Sequence, residues 1–307
     1  MALVIHLLVI ATIYGILAVA LNLVVGATGL FNLGHAAFYG IGAYTSALLA
    51  KAGLPWPLAM LAGVLLAGFV AFLVGIPTLR LVGDYLAVVT MGLGEIARAV
   101  FKNWLSVTRG PMGLPGIPHA SLLGFEFNTA GRFLVLGVAC LMLTYLLAQR
   151  LLHSPFGRVL KGIREDEAAV QALGKNVYRF KMWIFVIGSA LAGLAGSLFA
   201  HYITFIDPGS FVMWLTFFIL LIIVLGGLGN NLGAVVMTVA FVALREGLRF
   251  ARLPDWLNAS ALQQLVFGVV LIIATIFVPR GLIPERKVTY KRENSRAESR
   301  PTDQRLR

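Results

Sequence analysis

Charge is scarce in this chain. Of its 307 residues only 12% are Asp, Glu, Lys or Arg, about half the ~25% usual in a soluble domain, while 59% are hydrophobic and the mean hydropathy is +0.88. Water is not the solvent for most of such a surface. The single cysteine, Cys140, excludes a disulfide framework, and five histidines without an HExxH or paired-cysteine spacing offer no metal site. Cys140 lies in an apolar run and is read as a packing residue. No GxxxxGK[ST] phosphate loop occurs, so ATP hydrolysis is not expected of this chain. Neither paired acids nor a Ser/His arrangement is spaced for intramembrane catalysis, and the chain is not expected to be an enzyme. The glycines of Gly226-Gly227-Leu228-Gly229-Asn230-Asn231-Leu232-Gly233 lack that spacing too and predict a tight turn between spans.

Acid is the rarer sign: 25 Lys and Arg stand against 13 Asp and Glu, a net +12. In a soluble protein this excess would suggest nucleic acid. Here the basic residues lie between apolar runs. Arg150, Arg158, Lys161, Arg164, Lys175, Arg179 and Lys181 fall in one segment, and nine more fall in 280–307, so sixteen of 25 occupy two stretches. That is the positive-inside pattern of cytoplasmic loops and predicts no nucleic-acid partner. No charged residue precedes Lys51, so the N-terminal apolar run reads as a span and not as a cleaved signal.

Apolar runs near 3–25, 30–50, 56–76, 84–104, 131–152, 181–202, 211–229, 231–252 and 262–280 predict an all-α, polytopic transmembrane helical bundle. About nine spans are expected, within eight to ten, since Gly-interrupted runs also fit re-entrant or broken helices. Four spans separate the two basic segments, which places both on the cytoplasmic side. The loop 105–130 and the N-terminus then fall outside and the C-terminus inside. The permease domain is expected over 1–282, with a cytoplasmic loop at about 153–180 and a disordered basic tail at 283–307. Two spans carry small residues every fourth position, Ala59, Gly63, Ala67, Ala71, Gly75 and Gly188, Ala192, Gly196, Ala200. Close packing within one bundle and a dimer seam both fit.

The segment 154–174 is neither a span nor low in complexity. Acids at Glu165, Asp166 and Glu167 open a short helix with Ala168, Ala169, Ala172 and Leu173, and Gly174 ends it. A small, smooth, exposed helix suits docking into another protein's groove, and a solvated amphipathic loop has the same pattern. Glu95 lies deep in a predicted span, with Arg98 three positions on. A charge there marks either a functional site or an internal i, i+3 pair. Asn22, Asn32 and His35 sit in or beside the uncharged hairpin, as translocation-path groups or as interhelical hydrogen-bonders.

Several blocks occur in an order that resembles a known family. Gly157-Arg158, Ile163-Arg164-Glu165-Asp166-Glu167-Ala168-Ala169 and Leu173-Gly174 are similar to the coupling loop of branched-chain amino acid ABC importer permeases. Gly29-Leu30-Phe31-Asn32-Leu33-Gly34-His35-Ala36-Ala37-Phe38 with Gly40-Ile41-Gly42-Ala43-Tyr44 resembles that family's second-span signature. Gly83-Asp84-Tyr85-Leu86, Gly94-Glu95-Ile96, Gly110-Pro111-Met112-Gly113, Gly116-Ile117 and Pro279-Arg280-Gly281-Leu282 extend the likeness, specifically to the LivM-type subunit. Arg109, where relatives usually carry a small residue, and Asn230-Asn231 depart from it.

The resemblance implies a permease subunit in a bacterial cytoplasmic (inner) membrane. Its implied partners are a LivH-type second permease, two ATPase subunits that hold ATP and Mg, and a soluble extracytoplasmic binding protein. Arg164, Glu165, Asp166, Glu167, Ala169 and Gly174 become ATPase-coupling candidates. Asn22, Asn32, His35, Glu95 and Arg98 become candidates for the path of a small polar solute. Branched-chain amino acids are the expected solute, with urea, short amides or carboxylates as the alternative. A stand-alone secondary transporter would need its own coupling-ion chemistry, and Glu95 is the single carboxylate deep in a predicted span.

Overall fold

A chain without charge for its first fifty residues cannot stop a helix electrostatically, and α1 runs unbroken over Ala2–Thr28. The computed structural model describes residues 2–81, 83–122, 125–250, 268–269 and 281–282. The expected span at 262–280 lies almost wholly outside them, and the expected tail at 283–307 lies outside them entirely. A helix that is apolar all round is one buried all round. Ile13, Ile16, Leu17, Leu21 and Val24 of α1 are sealed accordingly, and several of the later helices pack against it.

α2 (His35–Lys51) and α3 (Trp56–Thr78) follow, then α4 (Asp84–Asn103). The segment between α4 and the next long helix holds the four-residue α5 (Leu105–Thr108), a tight turn at Gly110–Met112 and three short strands, β1 (Leu114–Pro115), β2 (Ser121–Leu122) and β3 (Phe125–Glu126). α6 (Ala130–His153), α7 (Pro155–Glu165), α8 (Glu167–Ala172) and α9 (Val177–Ile203) lead to β4 (Phe205–Ile206). β1 pairs antiparallel with β4, and β2 with β3, so the sheets are two-residue clasps on a helical protein. α10 (Met213–Gly226) and α11 (Asn231–Phe250) follow.

The small-residue stripes pack α2, α3 and α9 together. A methyl on Gly42 would meet the Gly193 carbonyl oxygen at 2.2 Å, and one on Gly196 would meet the Tyr39 carbonyl oxygen at 1.9 Å. Ala59, Ala67 and Ala71 of α3 and Ala192 and Ala200 of α9 are fully buried. Backbones approach this closely only where side chains are absent, so these stripes serve the interior of one bundle.

Among the described residues, four helices are long and apolar enough to cross a membrane: Leu3–Thr28, Trp56–Thr78, Ala130–His153 and Val177–Ile203. The expectation of about nine is not reached among them, for identifiable reasons. α2 has 17 residues, about 26 Å at 1.5 Å per residue, short of a ~30 Å hydrocarbon core. α4 carries Glu95, Arg98 and Lys102. The runs at 211–229 and 231–252 become a 14-residue α10 and a 20-residue α11 bent by 120° at Gly227–Asn230, one broken or re-entrant element. Gly227 takes φ 109 there, a backbone that side chains resist.

Candidate functional site

Two features offer the chemistry of a working site: the α7–α8 pair, which has a small core of its own, and a cavity beside α2 within the main core.

α7 begins where the sequence dictates. Ser154 caps it by accepting from the Gly157 N–H at 3.3 Å, and Pro155 occupies the first turn, where no donor is needed. Its apolar side, Gly157, Leu160 and Ile163, is buried in a second small core with Leu23 and Ala27 of α1, Ala148 and Leu152 of α6, and Ile184 of α9. Phe156 and Phe180 stack at 5.3 Å between ring centres. Asp166 breaks the helix in an extended conformation and caps α8, its carboxylate accepting from Ala169 N–H at 3.0 Å. Gly174, at φ +75, closes α8: its N–H donates to the Gln171 carbonyl at 2.9 Å while Lys175 N–H reaches the Val170 carbonyl at 3.3 Å. Both bonds of a Schellman termination are therefore present.

Along this segment Val170 faces the core, while Glu165, Asp166, Ala168, Ala169 and Leu173 are exposed. Leu173 is 78% exposed, a large apolar side chain at the tip of the fold. Arg164 turns inward, and its Nη1 donates to the Gly26 carbonyl near the end of α1. Glu167 is also engaged within the chain, its Oε2 lying 2.6 Å from Lys181 Nζ on α9.

The cavity, about 260 Å³, lies between α2, α3, α4 and α9. Its wall is apolar, with Ile41, Val70, Val74, Leu93, Ala97 and Phe185 among the lining residues, and Asn32 and Thr90 are its hydrogen-bonding side chains. Asn32 is 2% exposed. Its Oδ1 accepts from Gly34 N–H at 3.1 Å, while its Nδ2 has no partner among the described residues. Thr90 Oγ1 accepts from Leu33 N–H at 3.1 Å, tying α4 to the non-helical 29–34 segment. An adjoining cavity of about 380 Å³, lined by Leu73, Pro77, Thr78 and Val89, continues the gap between α3 and α4. A buried amide donor without a partner costs roughly 1–3 kcal/mol, and such a group in a native protein points to a ligand or solvent.

The other path candidates fall elsewhere. Asn22 is fully buried and does not line the cavity. Its Nδ2 donates to Asn231 Oδ1 at 2.9 Å and its Oδ1 accepts from Gly229 N–H at 2.9 Å, which fixes the α10–α11 bend to α1. His35 is buried at the start of α2, away from solvent. Glu95 and Arg98 form the i, i+3 pair at 2.9 Å, with side chains 44% and 39% exposed.

Groups with no motif were invisible in the sequence. Ser197 Oγ donates to Ser46 Oγ (2.7 Å), which bonds His201 Nε2 (2.8 Å), and His201 Nδ1 lies 2.7 Å from the Pro118 carbonyl, a buried chain tying α2 and α9 to the segment between β1 and β2. The hydroxyls of Tyr39 and Tyr44 on α2 are buried without a partner among the described residues. Their spacing with His35 was the one available hint. Of the departures from the family pattern, Arg109 occupies a left-handed conformation (φ 59), which a small residue would adopt more easily. Asn230 Oδ1 accepts from Leu232 and Gly233 N–H at the start of α11.

Residues 3–275 match the family described as branched-chain amino acid transport system / permease component. The chain is 37% identical over 310 residues to the high-affinity branched-chain amino acid transport system permease protein LivM of Escherichia coli (strain K12), spanning 93% of this chain and 71% of the relative. It is 30% identical over 249 residues to the probable LivM of Methanocaldococcus jannaschii, spanning 75% of this chain and 69% of the relative. It is 24% identical over 293 residues to the permease protein LivH of Salmonella typhimurium (strain LT2), spanning 90% and 92%. No solved structure matches.

Proposed function

Because this chain belongs to the family of branched-chain amino acid transport system permease components, we propose that it is the LivM-type membrane-spanning subunit of a binding-protein-dependent ABC importer. It carries branched-chain or related amino acids inward through the bacterial cytoplasmic membrane. A LivH-type permease is its membrane partner, two separate ATPase subunits supply the energy, and a soluble extracytoplasmic protein delivers the solute.

The observation behind this reading is α8. A six-residue helix is too short to be stable alone, yet this one is capped at both ends, anchored by Val170 and the Glu167–Lys181 pair, and otherwise left exposed. Its outward face is small alanines with Leu173 and Gly174 at the tip, a shape suited to a groove in a partner. The cavity supplies the second half. Asn32 Nδ2 and the positive N-terminal end of α2 suit a carboxylate, and the aliphatic wall suits a branched side chain. Urea and short amides would leave that wall without a partner, which favours amino acids. Its volume lies just below the ~300 Å³ lower end for drug-sized ligands, as befits a small solute.

Affinity purification from mild detergent with mass spectrometry, followed by uptake of labelled leucine into proteoliposomes, tests this reading. Recovery of two ATPase chains and a second permease, with ATP-dependent uptake driven by the binding protein, is the expected result. A stable chain that takes up solute without an ATPase would replace it with a secondary transporter.

A further inference from the structure

The end of α1 and the α10–α11 bend meet through bare backbone. A methyl placed on Gly26 would lie 2.4 Å from Gly229 N and 2.9 Å from Gly229 Cα. Gly226 and Gly233, on the two sides of the bend, are equally close, and one turn before Gly26 the Asn22 amide grips Gly229 and Asn231. Leu282 N–H donates to the Leu225 carbonyl at 2.8 Å, and Gly281 rests on Gly227. With no side chains to deform between these surfaces, a shift at the end of α1 must shift the bend with it. Such packed contacts move as rigid bodies.

Arg164 holds the other end of this assembly. The Gly26 carbonyl belongs to the last turn of α1, where a helix leaves its carbonyls without intrahelical partners and negative in potential. Leu30, four residues on, gives its N–H to Thr28 Oγ1 instead. The Arg164 guanidinium occupies that position, and its Cγ lies 3.5 Å from where a Gly29 side chain would begin. One residue separates Arg164 from Asp166, the cap of α8.

We propose that Arg164 is a positioning residue that transmits displacement of α7–α8 to the α10–α11 bend through Gly26, so that the bend is the transmembrane element set by the state of the ATPases. The proposal rests on the importer reading above and adds the route within this chain. Arg164→Lys keeps the charge and part of the contact, whereas Arg164→Ala removes both.

The test uses the complete complex in proteoliposomes. Leu228→Cys, at the bend, is placed in a Cys140→Ala background, and its maleimide labelling rate is read with and without ATP and vanadate beside uptake per ATP hydrolysed. The labelling rate is expected to respond to nucleotide in the otherwise unsubstituted chain and in Arg164→Lys, and to lose its response in Arg164→Ala. Uptake per ATP in Arg164→Ala should fall about tenfold or more, within the usual range of coupling between sites, while ATP hydrolysis persists. An Arg164→Ala complex with normal uptake per ATP and a responsive label overturns the relay. So does failure of both Arg164 variants to assemble, which would make the contact a structural lock. Absence of ATPase subunits from the unsubstituted preparation overturns the importer reading and the relay with it. An active complex whose unsubstituted chain shows no nucleotide response at Leu228→Cys overturns the relay alone.

Discussion

Lys181 lies on α9 with its side chain 7% exposed, and its ammonium sits 2.6 Å from the Glu167 carboxylate, which is 35% exposed. A cation this enclosed needs an anion, and the sequence places that anion on the first residue of the short exposed helix α8. This short exposed helix is thus bonded to α9 by a charge pair whose anion also suits the positive N-terminal end of α8.

Glu167→Gln keeps a hydrogen-bond acceptor but leaves Lys181 without its counter-charge. Because Glu167 is one-third exposed, the expected loss is about 1 kcal/mol, well below that of a fully buried pair. Glu167→Arg sets two cations together and should release α8 from α9. Uptake and ATP hydrolysis measured together in proteoliposomes check this: reduced uptake for Glu167→Gln, none for Glu167→Arg, with both subunits still present in the membrane. Unimpaired uptake in Glu167→Arg would refute the coupling role.

Gly174 separates strain from contact. At φ +75 any side chain costs about 1–2 kcal/mol, least for asparagine, while nothing lies within 4 Å of an added Cβ. Gly174→Asn should therefore behave almost as the parent. Gly174→Trp carries more of that strain but also meets no neighbour at its Cβ, and should fail chiefly against a partner, cutting ATPase recovery on purification about tenfold, or ~1.4 kcal/mol, at unchanged permease level. Equal recovery of ATPase with both variants would place the partner elsewhere.

The order of the helices, the bounds of α8 and its caps were legible because each depends on local chemistry: Asp166 and Gly174 act within four residues of themselves. α7 was less so, since its amphipathic face reads as a helix only once α1 and α6 are known to cover it. The span count was least legible. Length and hydropathy do not distinguish a crossing from the 120° bend at Gly227–Asn230, whose cause is glycine packing against α1. Asn22 shows the same limit, because a polar residue in an apolar run looks alike whether it faces a solute or, as here, Gly229 and Asn231 two hundred residues away.

Asn22→Leu, nearly isosteric, should leave the Gly229 N–H and the Asn231 side chain unsatisfied in the core, a loss of roughly 1–3 kcal/mol. The expected readout is a lower unfolding temperature in detergent, with proteolysis beginning at the 227–231 bend. A variant as stable as the parent would show that the α1 contact does not hold the bend.

Glu95→Gln leaves Arg98 charged on the open face of α4. A lone charge at the centre of a membrane helix costs about 2.5–3.5 kcal/mol where lipid covers it, and far less in a wet passage. Altered uptake kinetics at unchanged protein level would mark the pair as part of the path. A fall in protein level alone, restored by Glu95→Gln with Arg98→Gln, would mark it as structural.

The cavity predicts a size rule. Each buried methylene contributes about 0.8 kcal/mol, so an aliphatic wall distinguishes leucine from alanine, three carbons smaller, by roughly 2 kcal/mol, about thirtyfold. Ala97 lines the wall without supplying a hydrogen bond, and Ala97→Leu narrows the 260 Å³ space while leaving Asn32 and Thr90 in place. Leucine should then lose far more uptake than alanine, measured with the same binding protein at saturation so that delivery does not set the ratio. A block of both solutes alike would mean that the substitution jams helix movement. An unchanged ratio at full activity would take the solute path away from this cavity and leave the unpartnered Asn32 amide to solvent.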